Sequence, residues 1–357
     1  MSKFGDYFFC GIGGSGMTPL ALLVQAGGGR VEGSDRALDQ GRNAERFDFL
    51  RSRGVLLHAQ DGSGINRRAQ TLVTSTAVEE SIPDVQAARR IGASVITRAQ
   101  LLAQLFNAAP LPVGVAGTSG KSTTVGMLGW ILHRAGKSPT IMNGADMKNF
   151  VDASSPFASA LAGDGDIFVS EVDESDGSIA LFDPRVAVVN NISLDHKPLP
   201  ELRALFRDFA HKAQKVVLNL DNPEAAALLP GLRPGQAITC ALDNARAQLI
   251  ASPTAHLPRG IAFQAKSREA AETVHVELQV PGRHNVANAL AALCAAQACG
   301  VGLAAAATHL SEFTGIRRRL EVVGTATGVV NGSNGVQLQM GTMAVDFANV
   351  QSVGTGG

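Results

Sequence analysis

Residues 111–128 read Leu-Pro-Val-Gly-Val-Ala-Gly-Thr-Ser-Gly-Lys-Ser-Thr-Thr-Val-Gly-Met-Leu, an order that leaves a chain few ways to fold. The apolar run Val113 to Ala116 reads as a buried strand, Gly117 and Gly120 permit a tight turn, and a helix leaves at Lys121 with Val125, Leu128, Ile131 and Leu132 on its apolar side. The free backbone N–H groups and positive dipole end of that helix face the turn, which makes it a cradle for phosphate. Lys121 can reach the outer phosphates of a nucleotide, and the Ser122 hydroxyl can ligate a magnesium ion bridging them. Val115 stands where the usual loop has its first glycine, so the turn is the shorter Gly117-x-x-Gly120-Lys121-Ser122.

Composition narrows the setting. The 357 residues leave room for two or three domains with large cores, and 45% apolar content with 39 glycines but one Trp and one Tyr suits an α/β protein of buried parallel strands. Lys and Arg total 31, as do Asp and Glu, so no basic excess offers a footprint for nucleic acid and the phosphate handled belongs to small nucleotides. Cys10, Cys240, Cys294 and Cys299 lack metal-ligand spacing and read as reduced, structural cysteines. No charged start runs into an apolar stretch, and no uncharged apolar stretch approaches the roughly 20 residues of a membrane span. A cytoplasmic location without membrane partners is expected.

From Asp6 to Asp35 the order is strand (Tyr7 to Cys10), glycine turn (Gly11-Ile-Gly13-Gly14-Ser15-Gly16), helix (Met17 to Ala26) and strand (Arg30 to Asp35). The G-x-G-x-x-G spacing followed by an acidic residue fits a dinucleotide site. The same turn can hold the diphosphate of any nucleotide-linked ligand, or be only a tight turn. Alternating strands (55–57, 71–75, 94–96) and helices (82–91, 99–106) continue a doubly wound sheet, whose ligand should lie where Gly11 to Gly16, Asp35, Ser75 to Val78 and Arg98 converge.

A proline-marked linker, Asn107 to Pro112, precedes the phosphate loop. Beyond it, the strand Asp166 to Ser170 runs into Glu171-Val-Asp173-Glu174-Ser-Asp176. Such an acidic run is either a solvated loop or, at the tip of an apolar strand, the place of a further magnesium ligand, here Glu171. The strand Val186 to Ile192 leads to Asp195-His196, and His196 is either a ligand for a second metal or a surface histidine. Residues 201–213 form a helix with Leu202, Leu205, Phe206 and Phe209 on one face, and Lys215 to Asn219 is the next strand. Short alternating segments between about 237 and 280 suggest an antiparallel flap. Pro281 to Asn288 then opens a long Ala/Leu helix.

These stretches together resemble the Mur ligase family of ATP-dependent peptidoglycan ligases, and within it the members that add L-alanine or a peptide. The matching segments are Gly11 to Met17, Gly33-Ser-Asp35, Gly117 to Thr123, Glu171 to Asp176, Asn191-Ile with Asp195-His196, His284 to Asn288, and Gly315 to Glu321. The shortened phosphate loop is the family's own form. The resemblance implies an N-terminal Rossmann-like doubly wound sheet (1–108) that binds UDP-N-acetylmuramic acid or a related UDP-muramyl substrate. A P-loop α/β domain with its small flap (109–316) binds ATP, and 317–357 is the truncated start of a third domain or a tail.

Carried over by position, the UDP part of the substrate falls to Gly13, Gly14, Ser15, Gly16 and Asp35; Ser75 and Arg98 at the sheet edge and Asn191 of the matching segment complete the expected substrate set. ATP falls to Gly117, Thr118, Ser119, Gly120, Lys121, Ser122, Thr123, His284, Asn285, Asn288 and Arg319. Magnesium falls to Ser122, Glu171 and His196, and catalysis to Lys121, Glu171 and His196. The implied chemistry passes the γ-phosphoryl group of ATP to the muramyl carboxylate, and the amine of L-alanine or a peptide then attacks the acyl phosphate; the protein acts as a monomer or homodimer. Ser119 replaces the His of alanine-adding members, and Lys197-Pro198 replaces Met-Asp. Members carry a third domain that binds the amino acid, and only 36 residues follow Glu321, so this chain is expected to bind both nucleotides without forming the amide unaided. Two other functions fit parts of the pattern: a non-catalytic UDP-sugar and ATP-binding remnant, and a nicotinamide-dependent oxidoreductase resting on the first glycine turn.

Overall fold

The computed structural model describes residues 5–75, 79–194, 197–257, 259–317, 328–332, 335–340 and 343–346. The first 107 residues alternate as β1 (Asp6–Cys10), α1 (Met17–Ala26), β2 (Arg30–Ser34), α2 (Arg36–Asp39), α3 (Ala44–Ser52), β3 (Leu56–His58), β4 (Gln70–Thr74), α4 (Pro83–Ile91), β5 (Ser94–Thr97) and α5 (Arg98–Asn107). The strands form a parallel sheet of order β3-β2-β1-β4-β5, so β1 is central and its glycine turn opens at the point where the order reverses. Phe8 and Phe9 of β1 are both fully buried, in separate clusters on opposite faces of the sheet, as a strand covered by helices on both sides requires.

The second sheet is built from β6 (Leu111–Ala116), β7 (Thr140–Met142), β8 (Ala160–Leu161), β9 (Ile167–Glu171), β10 (Val186–Val189), β11 (Lys215–Asn219), β12 (Ala237–Ala241), β13 (Leu249–Leu257), β14 (Gly260–Ser267) and β15 (Thr273–Leu278). Its order is β15-β14-β13-β12-β11-β10-β6-β9-β7-β8, with β6 parallel to both β9 and β10. The antiparallel segments β13 to β15 extend this sheet through a parallel pairing of β12 with β13. α6 (Lys121–Arg134), α9 (Arg283–Ala298) and α10 (Leu303–Leu310) cover one face. On the other lies α7 (Leu199–Lys212), with α8 (Pro223–Ala226) near the end of β11. β16 (Gly328–Gly332), β17 (Gly335–Met340) and β18 (Met343–Asp346) make a separate antiparallel sheet.

One core runs from the first sheet into the second. Phe106 of α5 meets Phe168 of β9 and Phe182 edge to face, at centroid distances of 5.8 and 5.2 Å. This joint fixes the carboxyl edges of β1 and β9 on either side of one crevice. The four cysteines are buried and unpaired, and burial pushes the Cys10 and Cys299 thiols up to about 12, which leaves them unreactive. Among the described residues no helix is long and apolar enough to cross a membrane.

α7 keeps the face read from its spacing: Leu202, Phe206 and Phe209 are buried, and Leu205 half-buried. Phe209 fills the space beside Gly114 of β6, the strand that feeds the phosphate loop. Phe209→Ala is expected to cost about 3–5 kcal/mol, because the sheet cannot collapse into the gap. A urea midpoint unchanged from the parent protein would show that the site relaxes.

Candidate active site

The phosphate turn is shaped by residues far from it in sequence. Gly117 has φ +145° and Gly120 has φ +82°, and a Cβ on Gly120 would overlap the Asn288 side-chain oxygen. Both positions therefore demand glycine. The strand read as Val186 to Ile192 leaves the ladder after Val189, since its next two residues bind the loop instead. Asn191 accepts from Thr118 Oγ1 at 2.8 Å and from the Ser119 N–H at 2.9 Å, and its Nδ2 donates to the Ser119 carbonyl at 3.0 Å. Its backbone carbonyl also accepts from the Thr118 N–H. Asn190, buried beneath, donates to Thr124 Oγ1 at 2.8 Å while its own Oδ1 has no partner.

Lys121 and Ser122 open α6 beside the acidic tip of β9. The Lys121 ammonium donates to the Gly117 carbonyl at 2.8 Å and pairs with Glu174 at 2.9 Å. Burial raises the Glu174 carboxyl above its ordinary value, and the Lys121 charge only partly opposes this. Burial also acts to raise Asp173, but hydrogen bonds from Ser175 and the charges of Lys121 and Arg98 bring it below the usual range. Ser122 Oγ donates to Glu171 Oε2 at 2.8 Å, and the Gly144 N–H donates to the same oxygen at 3.0 Å. A hydroxyl and a carboxylate side by side are the hard donors that magnesium takes, with water and phosphate oxygens completing its shell. Among the described residues no group of three or more His, Cys, Asp or Glu forms a metal site, so any ion here would rest on this pair and on its ligand.

Across the crevice, the first glycine turn is tied to β2. Asp35 accepts from the Gly13 N–H at 2.8 Å and from the Ala37 N–H at 2.7 Å, so both carboxylate oxygens serve the turn and the cap of α2. Arg46 donates to the Gly13 carbonyl at 2.6 Å and lies over the Phe157 ring at 4.9 Å. Arg98, the first residue of α5, packs against Gly16. Between the two walls lies a space of about 260 Å³, reached by Ser15, Gly16 and Arg98 from one side and by Asn143, Glu171 and Asp173 from the other.

Of the residues expected from sequence, Ser15, Gly16, Arg98 and Glu171 meet in this crevice. Gly117 to Thr123 form the adjoining loop and first helical turn. Asn288 reaches Gly120 from α9, and its Nδ2 donates to Asn285 Oδ1, while Asn285 Nδ2 donates to the Pro281 carbonyl. His284 is exposed, its ring beside Gly282. Gly13, Gly14 and Asp35 form the turn behind the crevice, and Ser75 follows β4 at the same sheet edge. His196, Arg319 and residues 76–78 of the expected substrate edge lie outside the described residues. Sequence reasoning did not single out Asn143, which donates to the Ser122 carbonyl at 3.0 Å, nor Asn190, nor the pairing of Glu174 with Lys121. Asn143 follows the three-residue strand β7, too short to show a period.

Comparison with known proteins covers both sheets. The family model for the Mur ligase middle domain matches residues 115–296, and that for the Mur ligase family catalytic domain matches residues 6–109. The UDP-N-acetylmuramate–L-alanine ligase of Synechococcus sp. (strain JA-3-3Ab) is 36% identical over 327 residues, covering 90% of this chain and 61% of that protein. The enzyme of the same name from Acidithiobacillus ferrooxidans is 37% identical over 333 residues, covering 89% and 68%. The chain thus spans 61% to 68% of the length of these relatives. Among solved structures, the UDP-N-acetylmuramate–alanine ligase of Thermotoga maritima superposes with a TM-score of 0.74 over 88% of this chain and 70% of that one. A murein peptide ligase from Psychrobacter arcticus gives 0.75 over 90% and 71%. Both are 24% identical to this chain, so the structural likeness speaks for the fold.

Proposed function

Because the chain belongs to the Mur ligase family, we propose that it serves an ATP-dependent ligation in peptidoglycan synthesis or recycling, with UDP-N-acetylmuramic acid as the acid and L-alanine or a peptide as the amine. One observation carries the reading: Ser15 and Gly16 of the β1 glycine turn face Glu171 across one crevice, with Arg98 on their wall, and Glu171 accepts from Ser122 at the start of the helix that follows the phosphate loop. A UDP-linked acid held by its diphosphate near Ser15 and Gly16 would bring its sugar carboxylate toward a triphosphate on Gly117 to Ser122.

In this scheme residues 1–108 carry the acid and residues 109–316 the nucleotide. A carboxylate oxygen attacks the γ-phosphorus and ADP leaves; the amine nitrogen then attacks the acyl carbon, phosphate leaves, and the nitrogen loses a proton. Lys121 and the N-terminus of α6 offset charge on the transferring group, which is most of what such a reaction asks of a protein. Ser122 and Glu171 would hold magnesium, and His196 would hold a second ion. Bound there, the metal would neutralise phosphate charge and orient the outer phosphates. Asn191, whose amide is spent on the loop, serves by holding Thr118 and Ser119 in place. The reading places the protein in the cytoplasm.

Calorimetry with UDP-N-acetylmuramic acid and with Mg-ATP tests it, followed by phosphate release when both are present with alanine. Saturable binding of each ligand at its own site is expected. Absence of either would overturn the assignment, and binding of NAD in place of the UDP-linked acid would turn the first glycine site to hydride chemistry.

A further inference from the structure

The loop lysine is engaged within the protein, and the residue that engages it is well built for the task. Val172, just past β9, donates its N–H to the Val115 carbonyl at 2.9 Å, which pins the acidic segment against the strand that enters the loop. The Ser175 N–H closes onto Asp173 Oδ1 at 2.9 Å, and the Gly177 N–H onto the Glu174 carbonyl at 3.1 Å. Glu174 is thereby presented to Lys121 from a tight series of turns. Its side chain is only 5% exposed, and that of Lys121 13%. The lysine is folded back on the carbonyl of Gly117, four residues before it, so the ammonium rests on the loop's own backbone and an acid. A triphosphate that uses Lys121 must first take it from that pair.

We propose that Glu174 is a positioning residue that competes with the outer phosphates for Lys121, parking the ammonium on the loop until a nucleotide draws it away. This rests on the reading of the loop as an ATP site. A buried ion pair that must open before binding reduces apparent affinity by the fraction of molecules whose lysine is free. Once phosphate leaves after the reaction, the same carboxylate stands ready to take the ammonium back and speed release of the spent nucleotide. Glu174 thus sets how firmly the loop grips its ligand, while Glu171, three residues earlier, is committed to Ser122 and the Gly144 N–H.

Titration calorimetry of ATP, in EDTA and again with magnesium, is the test, on the parent chain and on Glu174→Gln, Lys121→Met and the double variant. Glutamine keeps an oxygen that can accept from Lys121 but removes the charge, so ATP should bind about tenfold tighter, as when a lysine free in a tenth of molecules becomes free in all. Removing any nearby negative charge would favour an anion. The gain must therefore vanish in the Lys121→Met background, where only a direct competition is lost. Glu174→Asp keeps the charge but shortens the reach, and should also tighten binding. A Glu174→Gln chain that binds ATP no better than the parent, or that gains equally without Lys121, would overturn the proposal while leaving the ATP site standing. A parent chain that fails to bind ATP would remove both.

Discussion

Lys121→Ala is expected to lower ATP-dependent phosphate release by at least about 10³-fold, since on the proposed reading it removes the fixed cation that would balance charge on the transferring group. It should also weaken the fold, because Glu174 is then left buried without its partner. Losing one member of such a pair costs about 3 kcal/mol. The pH dependence has a definite sign. The Glu174 carboxyl is raised in the folded protein by burial, with Lys121 opposing the rise. A group raised on folding gives stability that is full below its unfolded value and is lost as pH rises through its folded value. Without Lys121 the rise is larger, so the deficit of the variant should be small in acid and grow toward neutrality. Urea midpoints of variant and parent at about pH 5 and about pH 8 measure it. Parent-like phosphate release would remove Lys121 from the chemistry, and a deficit larger in acid would contradict the account of Glu174.

Glu171→Gln is expected to lower ATP-dependent phosphate release by roughly 10²–10³-fold at limiting magnesium, with part of the loss recovered at high magnesium. The amide retains an oxygen for Ser122 Oγ or the Gly144 N–H, so the local fold should persist. What it lacks is the charge that draws a hard cation beside the phosphates. Magnesium titrations of turnover for parent and variant decide the matter: superimposable curves would show that Glu171 is no ligand.

The parts legible in the sequence were those written in neighbouring residues. Gly117 to Ser122, between an apolar strand and an apolar helix, announced a phosphate turn, and Gly11 to Gly16 did so again at the head of a parallel sheet. Asp35 was found by its place after β2, although its oxygens proved to hold the turn itself. Less legible were contacts made across the fold. Asn191 was noticed for its motif, but that it clamps a loop more than 70 residues earlier follows from the pairing of β6 with β10. The Lys121 and Glu174 pair depends on β6 lying beside β9, an adjacency that no local pattern encodes. The antiparallel ribbon read as a flap is continuous with the main sheet, because strand alternation reveals a ladder without revealing its neighbour.

The phosphate turn occupies a few consecutive residues, yet its shape is completed by Asn190 and Asn191 from beyond β10 and by Asn288 from α9. During synthesis the loop therefore emerges long before the groups that set it, and it cannot take its final hydrogen-bonded shape until the chain has passed residue 288 and α9 has packed on α6. On the proposed reading, a nucleotide would engage only the assembled form, so it would act on the folding equilibrium as a late ligand that favours completion and offers nothing to partly folded species. Protection of 117–123 against hydrogen exchange should for that reason appear together with that of α9, in a single cooperative step rather than with the early strand that precedes it.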